Sequence, residues 1–133
     1  MVYFKAGKHN DAIIMLGQAL HLDPNHALAR QVLGEVYLLQ RELKKAEMEF
    51  LKNILNNPDF AKTYYFLGKL YMDELLDYER ATEYLAKYKL LDLNNSFGYL
   101  DDTNKRLKKL KELFKQDYNR EETPKGKARE LLY

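Results

Sequence analysis

The 133-residue chain has no cysteine, no tryptophan, three prolines, six glycines and a lone serine, Ser96. Without cysteine there is no disulfide framework and no thiolate metal site. The compartment stays open, because reducing and oxidising spaces both tolerate that absence. No histidine lies near Ser96 or follows it, so a nucleophilic triad has no general base. His9, His21 and His26 lack the spacing of three or four that would put two imidazoles on one helical face, which argues against a metal site. The glycines stand alone and none precedes Lys-Ser or Lys-Thr, so there is no phosphate cradle. Asp73, Glu74 and Asp77 lack calcium-loop spacing and read as solvated turn charge. These observations predict no catalytic residue, no metal and no cofactor.

Long apolar runs are missing as well. No stretch reaches the roughly 18 apolar residues of a membrane helix. Lys5, Lys8, His9, Asn10 and Asp11 interrupt any leader-like segment near Met1. The expectation is a soluble chain, cytoplasmic or, given an upstream signal, associated with a bacterial envelope. Neither sign of charge dominates, the formal net charge being +2. Residues 94–133 hold ten basic against seven acidic side chains, and residues 1–93 hold twelve against thirteen. That imbalance is too small for the dense basic stripe that recruits nucleic acid or an anionic membrane.

What the chain has in quantity is amphipathic helix. It is 46% hydrophobic and 32% charged, and it repeats itself. Ala12-x3-Leu16-x2-Ala19-x4-Pro24 aligns with Ala46-x3-Phe50-x7-Pro58 at a spacing of 34 residues. Arg30-x2-Leu33-Gly34-x2-Tyr37 recurs 34 residues on as Tyr64-x2-Leu67-Gly68-x2-Tyr71, followed by Ala81-x3-Leu85. Gly34 and Gly68 let a second helix approach closely. Ala46 and Ala81 leave flat spots, and Phe50 and Leu85, one turn on, fill the space beside them. Pro24 and Pro58 end the unit, because a residue before proline disfavours helix.

A 34-residue period carrying large-x2-Leu-Gly-x2-Tyr, Ala-x3-Phe and Pro resembles the tetratricopeptide repeat family over residues 1–95. The resemblance implies an all-α fold, an α-solenoid of stacked antiparallel helix hairpins wound as a right-handed superhelix. Residues 1–25 form a partial first repeat, 26–59 a second and 60–95 a third. The spacing predicts helices over 2–6, 10–22, 26–39, 43–56, 60–74 and 78–92, started by Asn10, Asn25, Asp59 and Asp77. The third repeat is one residue longer, with the extra residue in the turn at Leu75 and Leu76. It carries Tyr88 and Leu93 where the first has Ala19 and Pro24. Phe97, Leu100, Leu107, Leu110, Leu113 and Phe114 recur every three to four residues over much of 96–118, which reads as a capping helix that hides the last apolar face. Residues 119–133 read as a polar tail.

Tyr37, Tyr64 and Tyr71 match packing positions of the family pattern. The family's groove-facing positions fall on Leu28, Gln31, Glu35 and Leu38, then on Lys62, Tyr65, Lys69 and Met72. The resemblance therefore implies an adaptor or scaffold that holds a peptide or partner segment in a concave groove, as in the multi-protein assemblies of bacteria. Family members that clamp a terminal carboxylate use a lysine and asparagines. Here Gln31 and Glu35 stand in two of those places, and an anionic Glu35 repels a carboxylate, so a segment of mixed charge is expected. Two other readings stand beside this one. The chain could be a regulatory repeat segment of a larger enzyme, or a nucleic-acid binder acting through Lys105, Arg106, Lys108, Lys109 and Lys111. By the repeat numbering Met1 falls at the ninth position of a unit. Val2, Tyr3 and Phe4 then mark an uncovered edge where homo-oligomers form.

Overall fold

A computed structural model of the chain describes residues 6–120, with side chains over 7–116. Val2, Tyr3 and Phe4, the expected helix over 2–6 and the tail beyond Arg120 lie outside the described residues. Among the described residues there are six α-helices and no strand: α1 (Ala6–Leu22), α2 (Ala27–Leu39), α3 (Leu43–Asn56), α4 (Ala61–Asp73), α5 (Tyr78–Leu91) and α6 (Leu100–Arg120). The chain divides into two compact units, Met1–Thr63 and Tyr64–Tyr133, with α4 running from one into the other.

In the first unit α2 packs on both α1 and α3. The α2–α3 pair closes at one point of contact between a missing and a large side chain. A Cβ on Gly34 would lie 2.3 Å from the Phe50 ring, so only glycine lets that ring seat. Phe50 and Ala46 are fully buried there, with Leu33 and Val36 beside them. Full burial of a phenylalanine contributes about 1.5–3 kcal/mol, which makes this contact the largest single anchor of the hairpin. Arg30 and Glu49 bridge the same two helices at 2.7 Å. The turn is short: Arg41 takes a left-handed φ of 61°, and the Glu42 amide donates to the Tyr37 carbonyl at 2.9 Å.

Three expected helix starts are corrected here, one being that α4 begins at Ala61, two residues past Asp59. α1 begins at Ala6 rather than at Asn10, whose side chain instead accepts a hydrogen bond from the Gln40 amide group at 3.2 Å. The cap of α2 is His26 rather than Asn25, with Nδ1 accepting from the Ala29 amide at 3.0 Å. Asn25 donates its own amide to Asp23, in the turn that Pro24 opens.

The second unit repeats the plan with other side chains. A Cβ on Gly68 would meet Leu85 at 2.5 Å, and Leu85 and Ala81 are fully buried. Where the first hairpin uses Arg30 and Glu49, this one sets Tyr64 against Tyr84 at 6.2 Å, and Tyr84 stacks on Tyr71 at 5.6 Å. The α4–α5 turn spans residues 74–77, one more than the three between α2 and α3, and Leu76 takes a left-handed φ of 53°. Asp77 caps α5 as expected, accepting from the Arg80 amide at 3.1 Å. α6 packs on α5 and buries Leu110 and Phe114. It is helical to Arg120, two residues into the stretch read as a polar tail.

Candidate partner-binding surface

The groove positions read from the repeat fall on α2 and α4, and the structure sorts them into two kinds. In the first unit Leu28 is 54% exposed, and Glu35, Leu38 and Lys62 are half-buried. Gln31 is different, being fully buried. Its Oε1 accepts from the Thr63 hydroxyl at 2.7 Å, and its Nε2 donates to Glu35 at 3.3 Å. Thr63 Oγ1 in turn accepts from Asn53 Nδ2 at 2.9 Å, and the same amide reaches the Ala27 carbonyl at 3.1 Å. This chain of buried polar groups explains why Asn53 replaces the small residue found at Ala19, since each member satisfies the next. Glu35 is held from the other side by Lys62 Nζ at 3.6 Å.

In the second unit Lys69 and Met72 are half-buried, while Tyr65 is closed off with 5% of its surface exposed. Its ring stacks on Tyr99 at 4.2 Å with an interplanar angle of 3°, and its hydroxyl donates to Asp102. Arg106 holds the cluster together. Nε donates to Asp102 and Nη1 to Asp73, both at 2.7 Å, with Met72 Sδ 3.5 Å from Nη1. Lys69 Nζ lies 5.4 Å above the Tyr65 ring, a cation–π distance. Burial first, then the bond to Asp102, push the Tyr65 hydroxyl well above the ordinary phenol range. For Asp102 burial acts upward, but the hydrogen bonds from Tyr65 and Arg106 outweigh it and hold the carboxyl below the usual range. Burial lowers Arg106 too, and the two carboxylates more than restore it.

Gln31 and Tyr65 therefore leave the set of partner-facing residues. They occupy the same repeat position, 34 residues apart, where the segment that follows folds over them: Thr63 over Gln31, and Tyr99 with Asp102 over Tyr65. The residues doing the covering were missed at the sequence level. The one available signal was Tyr99, 35 residues after Tyr64, although Asp102, Thr103 and Arg106 stand where the pattern has Leu67, Gly68 and Tyr71. The acidic patch at the α4–α5 turn is also accounted for, Asp73 by Arg106 and Asp77 by its capping bond and a 3.6 Å pair with Arg80. Among the described residues no group of three or more His, Asp or Glu side chains could hold a metal ion, and no helix is long and apolar enough to cross a membrane.

Helix hairpins closed by a glycine against a bulky side chain, repeated along one chain, define an all-α solenoid of the helical-repeat class. Residues 3–56, less than half of the chain, match the family described as tetratricopeptide repeat. The fold is also similar to that in a crystal structure of MamA, at a TM-score of 0.59 and 20% identity, over 82% of this chain and 74% of that one. No curated protein matches the chain. Repeats of this kind make it, in general terms, a protein-interaction module.

Proposed function

We propose that the chain is a non-catalytic adaptor or scaffold that holds a peptide or partner segment. Each unit offers its own contacts: Leu28, Glu35, Leu38 and Lys62 in the first, and Lys69 and Met72 in the second. The observation that carries this reading is the half-exposed Glu35–Lys62 pair at 3.6 Å on the face that also bears Leu28, 54% exposed. A charged pair next to apolar surface suits a segment that brings both signs of charge and a few apolar anchors. Glu35 in that pair disfavours a terminal carboxylate. The basic-helix alternative finds less support, because Arg106 is committed to Asp73 and Asp102 and Lys105 sits 3.5 Å from Asp101.

The test is selection of binders from a displayed random-peptide library on the wild-type chain, followed by titration against Leu28→Ala/Lys69→Ala/Met72→Ala. The variant removes the Lys69–Tyr65 and Met72–Arg106 contacts, so its melting curve is recorded first and affinity is compared at a temperature where both chains are folded. Selected peptides should carry mixed charge and lose affinity by about tenfold or more. Undiminished affinity in the folded variant would remove this surface from consideration. A binding constant that falls steeply with salt and ignores all three changes would favour the basic helix instead.

A further inference from the structure

The outer faces of α3 and α5 hold the same repeat positions and differ in what they offer. On α3 these positions are Lys44, Met48, Leu51, Lys52 and Leu55, at the spacing of one helical face. All five are exposed, Met48 at 54% and Leu55 at 82%. At a spacing of 35 residues α5 carries Glu79, Glu83, Ala86, Lys87 and Leu90, with both glutamates exposed and Leu90 at 68%. Neither face is satisfied within its own unit. On α3 three contiguous apolar side chains stand in water between two lysines, which marks an association surface rather than singly scattered apolar residues. The carboxylate within reach of Lys52 is Glu49 at 3.7 Å, itself held by Arg30 at 2.7 Å. On α5, Glu79 and Glu83 lie four residues apart on one face, where like charges repel, and no ion pair relieves them among the described residues. The ends of the chain do not complement the α3 lysines by charge. Residues 1–5 contribute Lys5 alone, and residues 121–133 hold three acidic and three basic side chains.

We propose that the α3 face of one copy receives the α5 face of a second copy, so that the chain associates head to tail with itself. Charge selects this pairing over the symmetric ones, because α3 against α3 sets lysines together and α5 against α5 sets glutamates together. Running the two helices in the same direction brings Lys44 to Glu79, Leu51 over the small Ala86 and Leu55 to Leu90, with Glu83 between Lys44 and Lys52. The reverse direction sets Lys44 against Leu90 and Leu55 against Glu79, which matches neither charge nor apolar surface. The two faces belong to different parts of one chain, so each added copy brings both an α3 and an α5 face and association proceeds beyond a dimer. One helix on one helix is a small interface, and a dissociation constant of about 10–100 μM is expected. The contact uses none of the α2 and α4 residues proposed to hold a partner segment.

The test is sedimentation of the full chain from about 5 to about 500 μM, where the average mass should rise with concentration past that of a dimer. Lys44→Glu/Lys52→Glu and Glu79→Lys/Glu83→Lys each reverse one face at exposed positions, with folding checked by circular dichroism and melting. Either variant alone should associate about tenfold or more weakly than wild type. Their equimolar mixture should recover association, because the unaltered α5 face of one meets the unaltered α3 face of the other. Leu55→Glu and Leu90→Glu, single changes at well-exposed side chains, form a second such pair should a reversed face unfold the chain. The proposal is overturned if wild type stays monomeric throughout, if either variant associates like wild type, or if a mixture associates no more than its components. Loss on reversing α3 with none on reversing α5 would show α3 pairing with itself, and dissociation by a peptide of residues 121–133 would give the α3 face to the chain's own tail. Either result also overturns it. Leu28→Ala/Lys69→Ala/Met72→Ala should leave association unchanged, so the two surfaces are judged separately.

Discussion

The two hairpins α2–α3 and α4–α5 solve one geometric problem with different chemistry. Both close a glycine over a bulky residue, but the first ties its flank with Arg30–Glu49 and the buried Gln31–Thr63–Asn53 chain. The second uses Tyr64, Tyr71 and Tyr84, with Tyr88 donating to Asp92 at 2.6 Å. Asn53 and Tyr88 occupy the same repeat position, and each is a fully buried polar anchor. The difference teaches that the repeat specifies where a helix must be approached closely, whereas the positions around that point are free to be ionic, amide or aromatic.

The largest effect should come from the plugs themselves. Phe50→Ala is expected to cost about 3–5 kcal/mol and Leu85→Ala about 2–5 kcal/mol in denaturant unfolding, through lost transfer energy and the cavity left behind. The comparison breaks in the double variants. In the Phe50→Ala background Gly34→Ala meets no ring and should return about 0.8–1 kcal/mol of helix propensity. Gly68→Ala in the Leu85→Ala background should return less, because the Leu85 backbone nitrogen lies 3.3 Å from that Cβ position and cannot be removed by mutation. Equal recovery at the two sites would show that both hairpins are limited by side chains alone.

Next in size is Asp92, which accepts from the Tyr88 hydroxyl at 2.6 Å and from the Ser96 and Phe97 amides at 2.8 and 3.0 Å. Burial raises its carboxyl, and these three bonds more than reverse that, leaving it below the ordinary range. Its folded value is thus lower than its unfolded one, so its stabilisation is complete above the unfolded value of about 3.9 and is lost as pH falls through the folded value. Asp92→Asn should cost about 2–3 kcal/mol at neutral pH. The gap to wild type should shrink below about pH 4, followed by amide exchange in α5 and α6. A gap that is constant with pH would mean that the bonds survive protonation.

The matching network of the first unit is neutral, which sharpens the contrast. Thr63→Val removes the donor to Gln31 and one of two acceptors of Asn53, at about 1–2 kcal/mol for the groups left unsatisfied. Because Thr63 and its direct partners Gln31 and Asn53 carry no titratable group, this loss should vary less with pH than the Asp92 loss. Unfolding curves of both variants between pH 3 and 7 make the comparison directly.

Much of the architecture was legible because the signals were local. Leu33-Gly34-x2-Tyr37 and Ala46-x3-Phe50 specify one face of one helix each, and the turn insertion at Leu75 and Leu76 keeps both faces in register. What escaped depends on side chains brought together over long separations. Gln31 and Tyr65 read as surface because residue type and helical phase do not reveal what folds over them. Thr63 comes from 32 residues away, and Asp102 from 37. Arg106 read as one of five basic residues available to nucleic acid, yet it reaches Asp73, 33 residues back. The start of α1 was misplaced for the opposite reason. Asn10 is a good cap by type, but its side chain serves Gln40 of the neighbouring helix.

The smallest effect separates the two turns. Arg41 and Leu76 both sit at left-handed φ, 61° and 53°, in the turns over 40–42 and 74–77. A non-glycine residue there costs about 1–2 kcal/mol, and glycine would relieve it, offset by about 0.4–1 kcal/mol of added freedom in the unfolded chain. Leu76 is 62% exposed, so its side chain contributes little packing that glycine would forfeit. Leu76→Gly is therefore expected to stabilise by about 0.5 kcal/mol, visible as a small rise in melting temperature. Arg41→Gly removes the same strain from a turn one residue shorter, closed by the Arg41 amide donating to Leu38 at 3.0 Å and the Glu42 amide to Tyr37 at 2.9 Å. Both closing bonds are backbone bonds that glycine retains, so Arg41→Gly should move stability in the same direction. If Leu76→Gly destabilises while Arg41→Gly does not, the exposed leucine is contributing more to the longer turn than its strain takes away.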